Sequence, residues 1–269
     1  MILFPDLNLA RRLEFHEAWS CEAHARTQAQ LYPATAAISQ PVAEGRMVYC
    51  GRKSPLSRVD GWGLSGAVSA AELEAVEAFY QSRGLRPRVD VCSLADASLL
   101  ALLSKRHYLL QSQMNVYARP IDPQDGAGIS PSGVEVRTAS LEEARLWFSL
   151  NGSDGDWAEP DGMAFMLIRS LLKPDTRLFL AWLDGQPVSG GALETHNGVA
   201  ALMAADTLPA FRQRGLHTAL LRARLAAAAN AGCDLALMHA RPGADSQRNA
   251  LRAGFQLVYV VDTLVKSSD

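Results

Sequence analysis

The residues best suited to chemistry lie in one short basic turn, Ala205 to Leu220, ADTLPAFRQRGLHTAL. Arg212, Gln213, Arg214 and Gly215 precede a helical pattern in which Leu216, Leu220, Ala223 and Ala227 share a face, with Leu221 and Leu225 beside them. Pro209 ends the preceding strand because it has no N–H for a ladder. Gly215 permits a sharp turn or a close approach of backbone to a ligand, and Gly232 is placed to end the helix. The first N–H groups of a helix lack internal acceptors and carry partial positive charge, so they attract phosphate. With two flanking guanidiniums the turn reads as a phosphate cradle. An ordinary strand–helix junction bearing two solvated arginines is the competing reading.

Further along, Ser246 to Phe255, SQRNALRAGF, reads as a short helix ending at Gly254-Phe255 and followed by a strand. Together these pieces resemble the GNAT family, the GCN5-related N-acetyltransferases. The family signature R/Q-x-x-G-x-G/A is met by Arg212-Gln213-Arg214-Gly215-Leu216-His217, except that His217 stands where a small residue is usual. Leu208-Pro209-Ala210-Phe211 matches the family's approach to the arginine, and Asn249 with Gly254-Phe255 matches its closing helix and strand. The resemblance covers the last half of the chain well and the first half loosely.

It implies acetyl-CoA as donor, a primary amine as acceptor and direct transfer between them. The residues implied to bind coenzyme A are Ala205, Asp206, Thr207, Arg212, Gln213, Arg214, Gly215, Leu216, His217, Thr218 and Asn249. The diphosphate is expected on the amides between Gln213 and Thr218, and the pantetheine arm along the strand near Ala205 and Thr207, as an added strand would lie. The family splays this strand from the next, here Asp234–Ala240, so that a main-chain N–H can polarise the thioester carbonyl.

Direct transfer also needs a base for the amine and an acid for the leaving thiolate. The family's usual base position aligns with Met203 and its usual tyrosine acid with Ala250, so substitutes are required. Glu194 is the candidate base, against its reading as a water-exposed hairpin-edge carboxylate; His239 and Tyr259 are the other candidates. Tyr259 alternates with Phe255, Leu257 and Val261, which suggests a core-facing ring, and Ser246 reads as a helix cap. Asp206 is expected to point away from Ala205 and Thr207. For the acceptor, Asp154, Asp156 and Glu159 would attract a cation and Trp157 would stack on it; a solvated acidic loop is the alternative. No bidentate glutamate follows at calcium-loop distance, and His16 and His24 have no partners at metal spacing, so no metal is expected.

The alternatives to catalysis are an acyl-CoA sensor or scaffold, or an enzyme using another acyl-CoA if His217 remodels the cleft. A net charge of −2 over 269 residues argues against nucleic-acid or anionic-membrane partners. The hydrophobic fraction of 48% supports an ordinary buried core. Cys21, Cys50, Cys92 and Cys233 are scattered, without a C-x-x-C pair, and the start MILFPDLNLARRLEF has no basic stretch followed by an apolar run. A cytoplasmic protein is therefore expected, and a homodimer is compatible with the reading.

These residues need a frame. Asp6 caps a helix running to about Gln30; strands are expected at Ala34–Ser39 and Met47–Cys50. Gly61-Trp62-Gly63-Leu64-Ser65-Gly66 looks like a phosphate loop but contains no arginine. Ser69 and Glu72 form a capping box for a helix at Ala70–Arg83, followed by a strand at Arg88–Cys92, a helix at Asp96–Lys105 and a strand at Tyr108–Arg119. Pro120 to Ser132 reads as a linker. After it come a strand at Val134–Arg137, a helix at Leu141–Leu150 capped by Ser140 with Glu143, an irregular stretch Asn151–Asp161 and a helix at Met163–Leu172. Two hairpins turn at Asp184-Gly185 and Asn197-Gly198 and lead through Val199–Thr207 into the basic turn.

Loop, helix, strand, helix, strand occurs in both halves, as a duplication would leave it; any alternating α/β chain would show the same order. The expected fold is therefore α/β of the α+β type, a mixed, mostly antiparallel GNAT sheet flanked by helices in two GNAT-like halves. Residues 1–120 are read as a degenerate half without a cofactor site, 121–132 as linker and 133–269 as the acetyl-CoA-binding domain.

Overall fold

The computed structural model describes residues 2–125, 131–140, 142–150, 172–173 and 175–268. Asp6 caps α1 (Leu7–Leu31) by accepting from the Leu9 N–H. A 3-10 turn at Pro33–Thr35 replaces the first half of the strand expected at 34–39, because Pro33 begins a turn more readily than a ladder. Strands β1 (Ile38–Val42), β2 (Gly45–Tyr49) and the short β3 (Val59–Asp60) follow. Both bonds of the Ser69–Glu72 capping box start α2 (Ala70–Gln81). Next come β4 (Arg88–Cys92), α3 (Ala97–Lys105) and the long β5 (Tyr108–Pro120). The second half supplies β6 (Val134–Thr138), α4 (Ala144–Leu150), β7 (Thr176–Leu183), β8 (Gln186–His196) and β9 (Val199–Thr207). It ends with α5 (Leu216–Asn230), β10 (Leu235–Ala240), α6 (Asp245–Arg252) and β11 (Gln256–Lys266).

Local chemistry sets the turns as expected. Ser140 and Glu143 exchange backbone bonds of 2.9 and 3.3 Å ahead of α4. Asp184-Gly185 and Asn197-Gly198 all have positive φ, the geometry that matches strand twist in a two-residue hairpin. Ser246 is not a cap: α6 starts one residue earlier, with Ala244 at the N-cap and no side-chain cap bond.

All strands join one sheet in the order β1-β2-β3-β4-β11-β5-β10-β9-β8-β7-β6. It is mixed and mostly antiparallel; β3–β4 and β9–β10 are its parallel pairs. The centre is interleaved. The last strand, β11, lies between β4 and β5 of the first half, and β5 in turn pairs with β10 of the second. The halves 1–120 and 133–269 are thus the two ends of a single sheet. Along β9, Ala200 and Leu202 pack with the α5 cluster while Val199, Ala201 and Met203 pack with the α1 cluster, so these helices cover opposite faces.

The glycine loop at 61–66 is filled by the protein itself. Trp62 and Leu64 are buried, and the Leu64 and Ser65 N–H groups donate to Glu44 Oε1 at 2.6 and 3.0 Å. An anion meeting those amides would have to displace a carboxylate already there.

One irregularity shapes the second half. The β8–β9 register passes from Gly190 opposite Asp206 to Ala192 opposite Met203, so Gly191 faces two residues, Ala204 and Ala205, with Ala204 at φ 48°. Buried Arg224 reaches this bulge from α5 and donates to the Ala192 and Met203 carbonyls at 3.2 and 3.3 Å and to Leu220 O at 3.2 Å. From the other face the Trp147 indole N–H, on α4, is shared by Phe179 O and Gly191 O at 3.1 and 3.2 Å. A Cβ on Gly191 would lie 3.0 Å from Arg224 Cζ, and the bonded guanidinium has no room to retreat. Gly191→Ala is accordingly expected to cost about 1–3 kcal/mol of stability, read by urea unfolding, without changing the m-value.

Candidate active site

The basic turn is open. A 3-10 turn at Pro209–Phe211 is followed by exposed Arg212, Gln213, Arg214 and Gly215. Gln213 and Gly215 have φ of 64° and 77°, and Gly215 is the N-cap of α5. Among the described residues no acceptor takes the N–H groups of 213–218, which makes them a set of free donors at the positive end of a helix. Leu216 is buried and anchors the helix, while Thr218 is exposed. The arginines divide the work. Arg212 ties the turn to the end of β9, donating to Thr207 O at 3.0 Å and lying 3.5 Å from Asp206 Oδ1. Arg214 stacks over the Phe211 ring, leaving its charge at the surface. Burial, and then the charge of Arg224, push the His217 imidazole down to about 4, so it is neutral and leans towards the interior.

Between the turn and the sheet centre, β9 and β10 separate. Their parallel pairing covers only Leu235–Leu237 against 199–201. Beyond it β9 continues through Met203, Ala205, Asp206 and Thr207 with β8 alone, and β10 continues through Met238, His239 and Ala240 with β5 alone. The result is a wedge whose walls carry main-chain groups without a ladder partner and whose mouth is the basic turn. Ala205 is half-buried; Thr207 is buried, with its hydroxyl 2.7 Å from that of Ser189; Asp206 is exposed. Asn249 is half-buried on α6, which packs on β10, and its side chain makes no hydrogen bond among the described residues.

His239 lies on the α1 face of the wedge, with Nδ1 4.0 Å from Glu17 Oε1. It also lines a cavity of about 280 Å³ at the junction of the halves, which Glu14, Glu17, Asp60, Asp90, Arg58, Arg88 and Arg241 line as well. Half-buried Arg58 bridges Asp60 and Asp90 at 2.7 and 3.1 Å. Burial would raise the Glu17 carboxyl, but the charges of His239, His16, Arg58 and Lys173 hold it below its ordinary value. Burial pushes Glu14 up to about 8, helped by Glu17, Asp60 and Asp90 and opposed by Tyr259.

One catalytic candidate, Glu194, occupies other surroundings than the sequence suggests, and another, Tyr259, is the core-facing ring that its alternation suggests. Glu194 is not a water-exposed edge carboxylate. It is fully buried, because α1 covers its end of the sheet, and it pairs with the buried Lys173 ammonium. Lys173 also donates to Ser20 Oγ at 2.8 Å, and His16 Nε2 is 3.9 Å from Glu194. Tyr259 is a buried ring against Glu14; burial, then that carboxylate, push its hydroxyl well above the usual range. Asp154, Asp156, Trp157 and Glu159 lie outside the described residues, as do the expected irregular stretch at 151–161 and most of the helix expected at 163–172. Sequence reasoning missed Arg224 and Glu17. Arg224 had a signal: it sits four residues from both Leu220 and Ala228 on the inner stripe of α5.

Two consequences follow for stability. Glu194→Gln strands a buried ammonium and is expected to cost about 3–5 kcal/mol in urea unfolding, most of it restored in the Glu194→Met/Lys173→Met double variant. Folded Glu14 keeps its proton up to about pH 8, whereas an unfolded glutamate loses it near 4.5. The folded chain therefore binds more protons in that window, and stability falls as pH rises through it. Glu14→Gln should remove that slope, raising Tm relative to the parent by a margin that grows from about pH 5 to about pH 9.

The model of the acetyltransferase (GNAT) family matches residues 142–255. No curated protein matches the chain. Among solved structures, a GCN5-related N-acetyltransferase from Kribbella flavida superposes with a TM-score of 0.66 at 20% identity, covering 92% of this chain and 96% of that one. A tandem GNAT protein from the clavulanic acid biosynthesis pathway gives 0.61 at 14% identity, covering 84% and 79%. A GCN5-related N-acetyltransferase from Sphaerobacter thermophilus gives 0.55 at 16% identity, covering 73% and 66%. At these identities the structural likeness is one of fold; the residues that the family model matches include the basic turn and both wedge strands. Residues 142–255 therefore match the acetyltransferase (GNAT) family, whose members are N-acyltransferases that draw the acyl group from an acyl-CoA.

Proposed function

We propose that the chain is an N-acetyltransferase that moves an acetyl group from acetyl-CoA to a primary amine by direct transfer. The observation that carries this reading is the set of free amides at 213–218, set at the mouth of the wedge between β9 and β10. When bound, acetyl-CoA supplies an activated thioester whose C–S bond is exchanged for a C–N bond to the amine, with release of the CoA thiol. The amides of Gln213 to Thr218 hold the diphosphate, and Arg214 adds its exposed charge. Arg212, bonded to Thr207 O, fixes the angle at which the turn meets the strand. Ala205, Asp206 and Thr207 flank the arm through their backbone, and Asn249 offers a free amide from α6. His239 takes the amine proton at Nε2, while Glu17, facing Nδ1, stabilises the imidazolium that forms. His239 is preferred to Glu194 and Tyr259 as the proton carrier because it alone of the three is partly exposed, beside both wedge and cavity.

On the chemistry of their side chains, Asp154, Asp156, Trp157 and Glu159 remain proposed acceptor contacts. The first half is proposed to frame the acceptor and to bind no nucleotide, its own loop amides being held by Glu44. Four buried, free cysteines support a cytoplasmic setting. A second reading, an acyl-CoA sensor, is favoured by Met203 and Ala250 at the positions where a base and an acid are usual.

Calorimetric titration with acetyl-CoA, followed by a screen of amines for CoA release, separates the two. Arg214→Glu should weaken acetyl-CoA binding about tenfold or more. His239→Gln should lower kcat about a hundredfold while leaving the acetyl-CoA Kd within about twofold. Binding without turnover on any amine would favour the sensor, and no binding of acetyl-CoA would overturn both.

A further inference from the structure

We propose that the cavity at the junction of the two halves is the acceptor seat, and that it takes a small hydrophilic primary amine as a cation, with Glu17 of α1 as its counter-charge and Glu14 Oε1 as a hydrogen-bond acceptor. The inference rests on the acyltransferase reading above, which requires an amine beside His239, and adds where that amine sits and what kind of molecule carries it.

Three observations converge. The first is position: His239 belongs both to the splayed end of β10 and to the cavity wall, so an amine held there lies next to the wedge. The second is charge. Four carboxyl groups and three guanidiniums line the cavity; with Glu14 protonated the other three carboxylates balance the three guanidiniums, so a bound ammonium must draw on a carboxylate that no guanidinium holds. Arg58 is already shared by Asp60 and Asp90, and among the described residues neither Glu14 nor Glu17 is paired with a guanidinium. The third is unmet bonding. Glu14 is only 3% exposed, yet its Oε1 has no hydrogen-bond partner among the described residues, and the same holds for Asp60 Oδ2 and Asp90 Oδ1. Buried carboxylate oxygens without donors are costly, and a bound ammonium with three N–H groups is the natural donor. A cavity of about 280 Å³ lined by polar and charged residues apart from Met114 and Val261 suits a compact hydrophilic molecule better than a bulky aromatic amine.

The test uses the full chain saturated with CoA and two probes of nearly equal shape, 2-amino-1,3-propanediol and glycerol, which differ in an ammonium against a hydroxyl. Ligand-observed NMR titrations should show the amine binding at least about tenfold more tightly than glycerol, and Glu17→Gln should erase that preference. A second variant acts without touching the buried charges: Ser112→Trp, at an exposed position of the cavity rim on β5, should block the amine while leaving the circular dichroism spectrum unchanged. Equal binding of the two probes, or amine binding that survives in both variants, would overturn the seat. Acetyl-CoA titration of the same samples separates the two readings. Donor binding with no amine preference sinks the seat alone; amine preference without donor binding sinks the acyltransferase reading and keeps the cation site.

Discussion

A single guanidinium underlies the geometry of this site. Arg224 carries its charge into the interior, where burial lowers its pKa to about 10 and leaves it protonated at neutral pH. It uses that charge to hold the carbonyls of Ala192 and Met203 across the bulge in β9. The extra residue in β9 turns the strand away from its ladder direction. Parallel pairing with β10 then stops after three residues, and the wedge follows. Gly191 opposite the bulge, Trp147 beneath it and His217 leaning over it are all fitted to this one buried cation.

The other polar investment is α1. A helix lying across a sheet would ordinarily present aliphatic residues to it, and α1 does so with Ala10 and Leu13. Over the next turns it buries Glu14, His16, Ser20, His24 and Gln28 instead. Of these, His16, Ser20 and His24 face Lys173 and Glu194 on one flank, Glu14 lines the carboxylate-lined cavity on the other, and Gln28 donates to Cys50 O at 2.9 Å. The first half of the chain thereby contributes charge to the region where the second half opens its strands. The glycine loop at 61–66, closed by Glu44, shows the opposite outcome, in which the protein's own carboxylate takes the amides.

What could be read from sequence was what short-range chemistry decides. Capping boxes at Ser69 and Ser140, hairpins at Asp184-Gly185 and Asn197-Gly198, and the Gly215 turn each depend on a few adjacent residues whose φ values or side-chain bonds allow little else. The basic turn was legible for the same reason. Glu194 was not, because nothing near it in sequence announces that α1 and Lys173 will cover it. The placement of β11 between β4 and β5 was likewise hidden, since strand order is set by contacts about 150 residues apart and alternation alone does not name a strand's neighbours. The cavity combines residues from β3, β4, β5, β10, β11 and α1, and so inherits that illegibility.

The interleaved centre of the sheet also bears on how the protein is made. Strand β11 fills a slot whose two sides, β4 and β5, leave the ribosome long before it does. Until β11 arrives, the sheet carries two raw edges at its middle, where a product lacking that strand would be sticky and open to degradation. Closure of the hydrogen-bonded ribbon thus waits on β11, whose two neighbours come from a stretch made much earlier.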